Sequence, residues 1–409
     1  LAVVDHLADP DAAAGVDIDI FGYISIDTVD NLDAAEAYPN VSSYLPPHRA
    51  AGIRLFKVLE DNIAQRDITI LLETPAKRLI TDASGAVCGL RINTKNGTRN
   101  IKASHAVILA CGGFEASSEM QNQYWQEKPV LPVAFSGNTG DGIRMAQTVG
   151  ADLWHMWHYH GTYGVKHPDP DYPYGVRVKR LPDWVPGRGI RNDVKMPWII
   201  IDRNGRRYMN EYQPYTQDTS ARPMAQFDTL TQTYPRIPSL MVFDDDARGT
   251  YPLFAPTFND PNLTFDYSPE ALQALEDRIV RKADTIDDLT AALDVDADIL
   301  RETLDRWNAS CEAGKDGDHG RPPSSMMKIE KAPFFYAEVW PLCQNTHGGP
   351  VHNVHQQVMN GFDEPIPRLY VAGELGGVFG HLYLAGGNLA ECFVGGWTAG
   401  RHAAGLDPW

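Results

Sequence analysis

Apolar positions along this chain change period several times, and each change predicts an element. Ile53, Leu55, Phe56, Leu59 and Ile63 recur at helical spacing and predict a helix over 50–65. The stretches "ITILLE", "RLITD", "AVCGLRIN" and "RNIKASHAVILACGG" read as strands joined by "ASG" and "KNG" turns, and the last ends in an apolar run over 106–110 that suits a buried strand. In "NTGDGIRMAQTVGADL" a glycine turn leads into an amphipathic helix. Thr285 and Asp288 give "TIDDLTAAL" a capping-box opening, and Ile299, Leu300, Leu304 and Trp307 mark a second helix in "ADILRETLDRWNASCEAG". Near the end, "PRLYVAGE" predicts a turn and a buried strand over 369–372. A glycine-rich link, "GHLYLAGGN", then opens a helix carrying Leu389, Ala390, Phe393 and Trp397, with Asn388 as its cap. The first 46 residues are acidic and irregular, with "DIDIFGYISID" their one strand-like alternation.

This order predicts an α/β fold: a first domain over 1–155, an inserted α+β domain over 156–332, and a return to the first domain over 333–409. Length agrees, since 409 residues imply ~2 to 3 domains. A net charge of −17 argues against a nucleic-acid or anionic-membrane surface. No run reaches the ~18 apolar residues of a membrane helix, and "LAVVDHLADPD" lacks the parts of a signal peptide. Cys88, Cys111, Cys311, Cys343 and Cys392 lack CxxC spacing and read as free thiols in a reducing, cytoplasmic compartment.

Two stretches carry candidate chemistry. The link into the last helix is either an anion cradle, where close backbone and unpaired N–H groups meet negative charge, or a close-packed turn. The run "WHMWHYHG" brings His155, His158 and His160 together. Its spacing fits neither HExxH nor a zinc finger, so a pocket wall is the preferred reading over a metal site.

In order, "ETPAKRLITDASGAVCGL", "HAVILACGGFEAS", "NTGDGIRMAQTVGADL", "DRNGRRYMNEY", "VFDDDAR", "TIDDLTAAL", "PFFYAEVWP", "NTHGGP" and "LYVAGELGG…GGNLAECFVGGWTAGRHAA" resemble the flavoprotein family of fumarate reductases and 3-ketosteroid dehydrogenases, across about residues 50–405. The resemblance implies FAD as cofactor, an FAD-binding Rossmann-like domain incomplete within this chain, and a capping role for the inserted α+β domain. It also implies a GxGxxG unit holding the pyrophosphate, and no GxGxxG occurs in the 409 residues. The expectation is that this unit lies on a second polypeptide, either a separate subunit or the other half of a cleaved precursor. The absence of haem or iron–sulfur motifs leads to the expectation of a separate electron donor or acceptor.

By resemblance, backbone near Ala76 meets the adenine, while Gly112 and Gly113 pass close to the cofactor. Asp141, Asn345 and Glu374 face it, with Glu374 on a ribityl hydroxyl. Asn388, Leu389 and Ala390 present a helix start to the reduced flavin. Arg248 matches a proton donor and Glu211 a proton relay; the bland readings are salt bridges with 244–246 and with Arg206 or Arg207. His160 falls near a substrate-facing histidine. Gln344 and Asn345 stand where fumarate reductases carry paired histidines, and Leu384 where they carry an arginine, which argues against a dicarboxylate. Tyr383 and Gly387 resemble the ketone-polarising pair of the steroid enzymes, unless Tyr383 simply packs beneath the flavin. The expected activity is oxidation or reduction of a small-molecule carbon–carbon bond beside a carbonyl. The rivals are reduction of an unsaturated carboxylic acid and a noncatalytic subunit.

Overall fold

The computed structural model describes residues 16–18, 24–26, 59–178, 184–185, 189–190, 195–212, 221–248, 250–256, 263, 265–266, 268–380 and 387–409. The alternation near the start forms two short antiparallel strands, β1 (Val16–Ile18) and β2 (Ile24–Ile26). Residues 59–64 are helical, the described end of the helix expected over 50–65. The hairpin region follows as β3 (Ala76–Thr81), β4 (Val87–Thr94) and β5 (Gly97–Lys102), an antiparallel sheet turning at Gly85 and Gly97.

"ITILLE" is not a strand. Residues 68–73 run irregularly, with Ile70, Leu71 and Leu72 exposed, because no described strand pairs with them to satisfy their backbone or cover their side chains.

The apolar run becomes β6 (Val107–Leu109), and α1 (Ser118–Tyr124), β7 (Leu131–Pro132), α2 (Asp141–Gln147) and β8 (Leu153–Trp154) follow. β9 (Tyr159–Lys166) opens a larger sheet with β10 (Gly175–Val178). The two-residue strands β11 (Trp184–Val185) and β12 (Gly189–Ile190) pair with each other. β13 (Trp198–Ile201) and β14 (Ser239–Asp244) then lead through the short helix α3 (Asp245–Arg248) to β15 (Phe254–Pro256).

The helical part of this region is α4 (Pro269–Ile279), β16 (Arg281–Ala283), α5 (Ile286–Leu293) and α6 (Ala297–Ala313). Its start signals are borne out: Thr285 Oγ1 accepts from Asp288 N at 3.1 Å and donates to the Asp288 carboxylate at 2.8 Å. Gly314 closes α6 in the left-handed region.

β17 (Phe334–Thr346) is 13 residues long and organises the sheet. Its first half pairs with β14 and β16, and its second half with β9 and, in parallel, β7. Both faces of this sheet are covered, which explains the unbroken apolar runs "WIII" and "LMVF". Trp198, Ile200, Met241 and Phe243 point into one core, while Ile199, Ile201, Leu240 and Val242 point into another with α5 and α6.

β18 (Gly349–Pro350) pairs with β8, and β19 (Gln357–Met359) pairs with β20 (Pro365–Val371). β20 lies parallel to β6, as an α/β fold requires. The chain ends in α7 (Gly387–Ala390), a π-helical turn over 391–395, and α8 (Gly396–Ala404), whose Ala399 and Ala403 pack on Tyr370. All five cysteines are free. Among the described residues, no helix is long and apolar enough to cross a membrane.

Candidate active site

The parallel strands β6 and β20 deliver their carboxyl ends to one place. That is where open α/β sheets bind ligands. Beyond β6, Gly112 takes φ +72°, a conformation side chains resist. Gly113 has no room for a side chain: a Cβ there would overlap Thr346 Oγ1 and stand 2.5 Å from Glu374 Oε1 and 3.1 Å from Glu115 Oε2. Beyond β20, Glu374 accepts hydrogen bonds from Thr346 N at 2.9 Å and Thr346 Oγ1 at 3.3 Å. Phe114 N donates to the same hydroxyl at 3.1 Å.

Glu115 is fully buried. Its Oε1 accepts from Asn138 Nδ2 at 2.5 Å, and its Oε2 has no partner. Burial raises its pKa to about 7. Burial and the neighbouring Glu115 hold Glu374 well above the ordinary carboxylate range. Close backbone that leaves no room for a Cβ, with a buried carboxyl beside it, fits a polyhydroxyl cofactor with little clearance.

The end of β17 divides this cradle from a second space. Thr346 faces the carboxyls. Asn345 instead reaches His160, whose Nδ1 lies 2.6 Å from Asn345 Oδ1, and donates through Nδ2 to Asn388 Oδ1 at 3.1 Å. His347 stacks on His158, with ring centroids 4.7 Å apart. Arg222 Nη2 sits 3.0 Å from His158 Nε2. Burial and the surrounding histidines and Arg222 lower His347 to about 2, so its imidazole is neutral. Beside this row, a cavity of about 370 Å³ is walled by Trp125, Glu127, Trp157, His158, Tyr159 and Arg222.

The structure therefore gathers His160, Asn345 and Asn388 along one line and Gly112, Gly113 and Glu374 around the cradle. Asn388 does not cap its helix. It stands inside α7, after the helical Gly387. Gly387 and Ala390 wall another cavity, of about 270 Å³, with Leu389 partly buried between them in the helix. Tyr383 lies outside the described residues. Ala76 opens β3, and Asp141 is exposed in the first turn of α2 beside Cys111.

Two candidates have other company. Arg248 pairs with Asp277 and, at 3.5 Å, with Glu276, both in α4. Two of the neighbouring carboxylates go elsewhere: Asp246 pairs with Lys331, and Asp244 accepts backbone N–H groups of Glu330 and Lys331. Glu211 is fully buried between Arg207, at 2.7 Å, and Arg321, at 3.3 Å. Sequence reading missed Glu115, Arg222 and His347. Glu115 directly follows "GGF" and His347 lies within "THGG", so both stood inside recognised motifs; Arg222 carried no local signal.

This architecture has relatives. Residues 33–389 match the family described as FAD binding domain. The chain belongs to that family. FAD is the cofactor for which the family is named, and the cradle fits it. A "Fumarate reductase (cytochrome)" of Shewanella frigidimarina is 28% identical over 86% of this chain and 55% of its own length. A "3-oxosteroid 1-dehydrogenase" of Mycolicibacterium smegmatis is 28% identical over 85% of this chain and 61% of its own. An "NADH:acrylate oxidoreductase" of Vibrio harveyi is 26% identical over 88% of this chain and 33% of its own. The chain thus spans about one third to three fifths of the length of these relatives. The 3-ketosteroid delta1-dehydrogenase of Sterolibacterium denitrificans, solved with 1,4-androstadiene-3,17-dione, superposes with a TM-score of 0.71 at 23% identity. That match covers 85% of this chain and 62% of the other.

Proposed function

We propose that this chain works in an FAD-dependent oxidoreductase that reduces or dehydrogenates a carbon–carbon bond adjacent to a carbonyl. The observation that carries the reading is the division made at the end of β17: Thr346 turns to the cofactor cradle, while Asn345 and His347 turn to the histidine row. A substrate in that row would lie against the cradle. Bound FAD would supply hydride transfer. The chain's own residues would orient the substrate: Tyr383 and Gly387 polarise its carbonyl oxygen, and His160, fixed by Asn345, borders the reacting carbons. Arg248 and Glu211 are less suited to proton handling than the sequence implied, because ion pairs within the capping region hold their charges. Tyr383→Phe should lower turnover at least ~10-fold while leaving FAD content unchanged. Unchanged turnover would remove Tyr383 from the mechanism.

A second reading, reduction of an unsaturated acid, is favoured by Arg222 at the cavity wall, where a guanidinium can meet a carboxylate. Arg222→Gln separates the two: a rise in KM confined to acids supports the acid reading, and equal effects on acids and ketones argue against it. The proposal also includes a GxGxxG-bearing second polypeptide and a separate electron partner. Denaturing chromatography of the native preparation, with absorbance and mass detection, tests the former. Flavin released from a preparation holding only this polypeptide would overturn it.

A further inference from the structure

Glu115 and Glu374 face each other across Gly113, since one point, the place of its missing Cβ, lies 3.1 Å from Glu115 Oε2 and 2.5 Å from Glu374 Oε1. Among the described residues no lysine, arginine or histidine side chain bonds to either carboxyl. Their donors are neutral: Asn138 for Glu115, and the backbone and hydroxyl of Thr346 for Glu374. The other titratable groups facing them are Cys343 of β17 and Cys392 of the π-helical turn, both pushed up by burial and therefore neutral thiols. Two carboxylates this close and lacking a cation cannot both ionise near neutral pH.

We propose that Glu115 is a positioning residue that shares a proton with Glu374, and that this shared proton sets how tightly the cradle holds FAD. The inference rests on the reading that Glu374 meets the polyol chain of the flavin. A proton bridging the carboxyls keeps Glu374 turned toward the cradle and limits the negative charge beside an anionic cofactor. When the pair loses a proton, a second buried charge is set against the pyrophosphate-bearing ligand. FAD then binds more weakly. Glutamine at 115 keeps the shape and the contact with Asn138 while removing the titrating group.

The test follows FAD release by flavin fluorescence in the native, FAD-loaded protein and in its Glu115→Gln and Glu374→Gln variants, from about pH 5.5 to 9. In the unaltered protein, affinity should fall ~3- to 10-fold as pH rises through neutrality. Glu115→Gln should bind FAD with no such inflection. The same inflection in Glu115→Gln overturns the shared proton. Unchanged affinity in Glu374→Gln overturns instead the placement of FAD on Glu374. Should Glu115→Gln fail to fold, infrared titration of the unaltered protein decides: a protonated-carboxyl band that declines around neutral pH supports the pair, and no such band in mild acid overturns it.

Discussion

Glu211 is a buried carboxylate that remains ionised. Burial alone would raise its pKa, but the charges and hydrogen bonds of Arg207 and Arg321 outweigh that, and the net shift is downward. Asp316, 2.8 Å from Arg207, is likewise lowered. Groups with depressed folded pKa values stabilise the fold above their unfolded values, and that stability is lost as pH falls through the folded values. The region around Glu211 should therefore open in acid, at a pH below the ordinary carboxylate range, followed by circular dichroism. Glu211→Gln leaves Arg321 without its carboxylate and should cost about 3–5 kcal/mol in urea unfolding. Glu115 has the opposite sign. Its stabilising contribution is complete below about pH 4.5 and is lost as pH rises toward about 7. Glu115→Gln should flatten the stability profile across that window.

At the level of elements, the most local interactions are the easiest to alter. Thr285→Ala removes the cap of α5 and should lower stability by about 1 kcal/mol without changing FAD content, as thermal melts and absorbance would measure. Such caps were legible in sequence because their partners lie three residues apart. The hairpins of β3–β5 and the run that became β6 were legible for the same reason: period and turn chemistry are local. Asn345, Glu374 and Gly113 were placed by motif resemblance, and the structure brings the three into connected surroundings. Arg222 meets His158 across 64 residues, a pairing that no local period encodes. "ITILLE" misled because β-branched composition describes a strand's side chains and not whether a neighbour exists to pair with it.

Across the whole molecule, the net charge of −17 opposes self-association, but the exposed Ile70, Leu71 and Leu72 form a concentrated apolar exception. Ile70→Lys with Leu72→Lys should reduce light scattering by the isolated chain and change its stability by no more than about 0.5 kcal/mol. Loss of flavin in that variant would mean that the stretch is covered in the working assembly.

The long strand β17 bears on inheritance. One end lies among Phe335, Ala337 and Val339 in the core shared with β13 and β14, and the other supplies Asn345 and Thr346 to the site. A recombination event that exchanged residues 156–332 would import foreign neighbours for β17 while keeping its native site-facing end. The two regions should therefore diversify together, with substrate preference and cofactor surroundings changing through the same 13 residues.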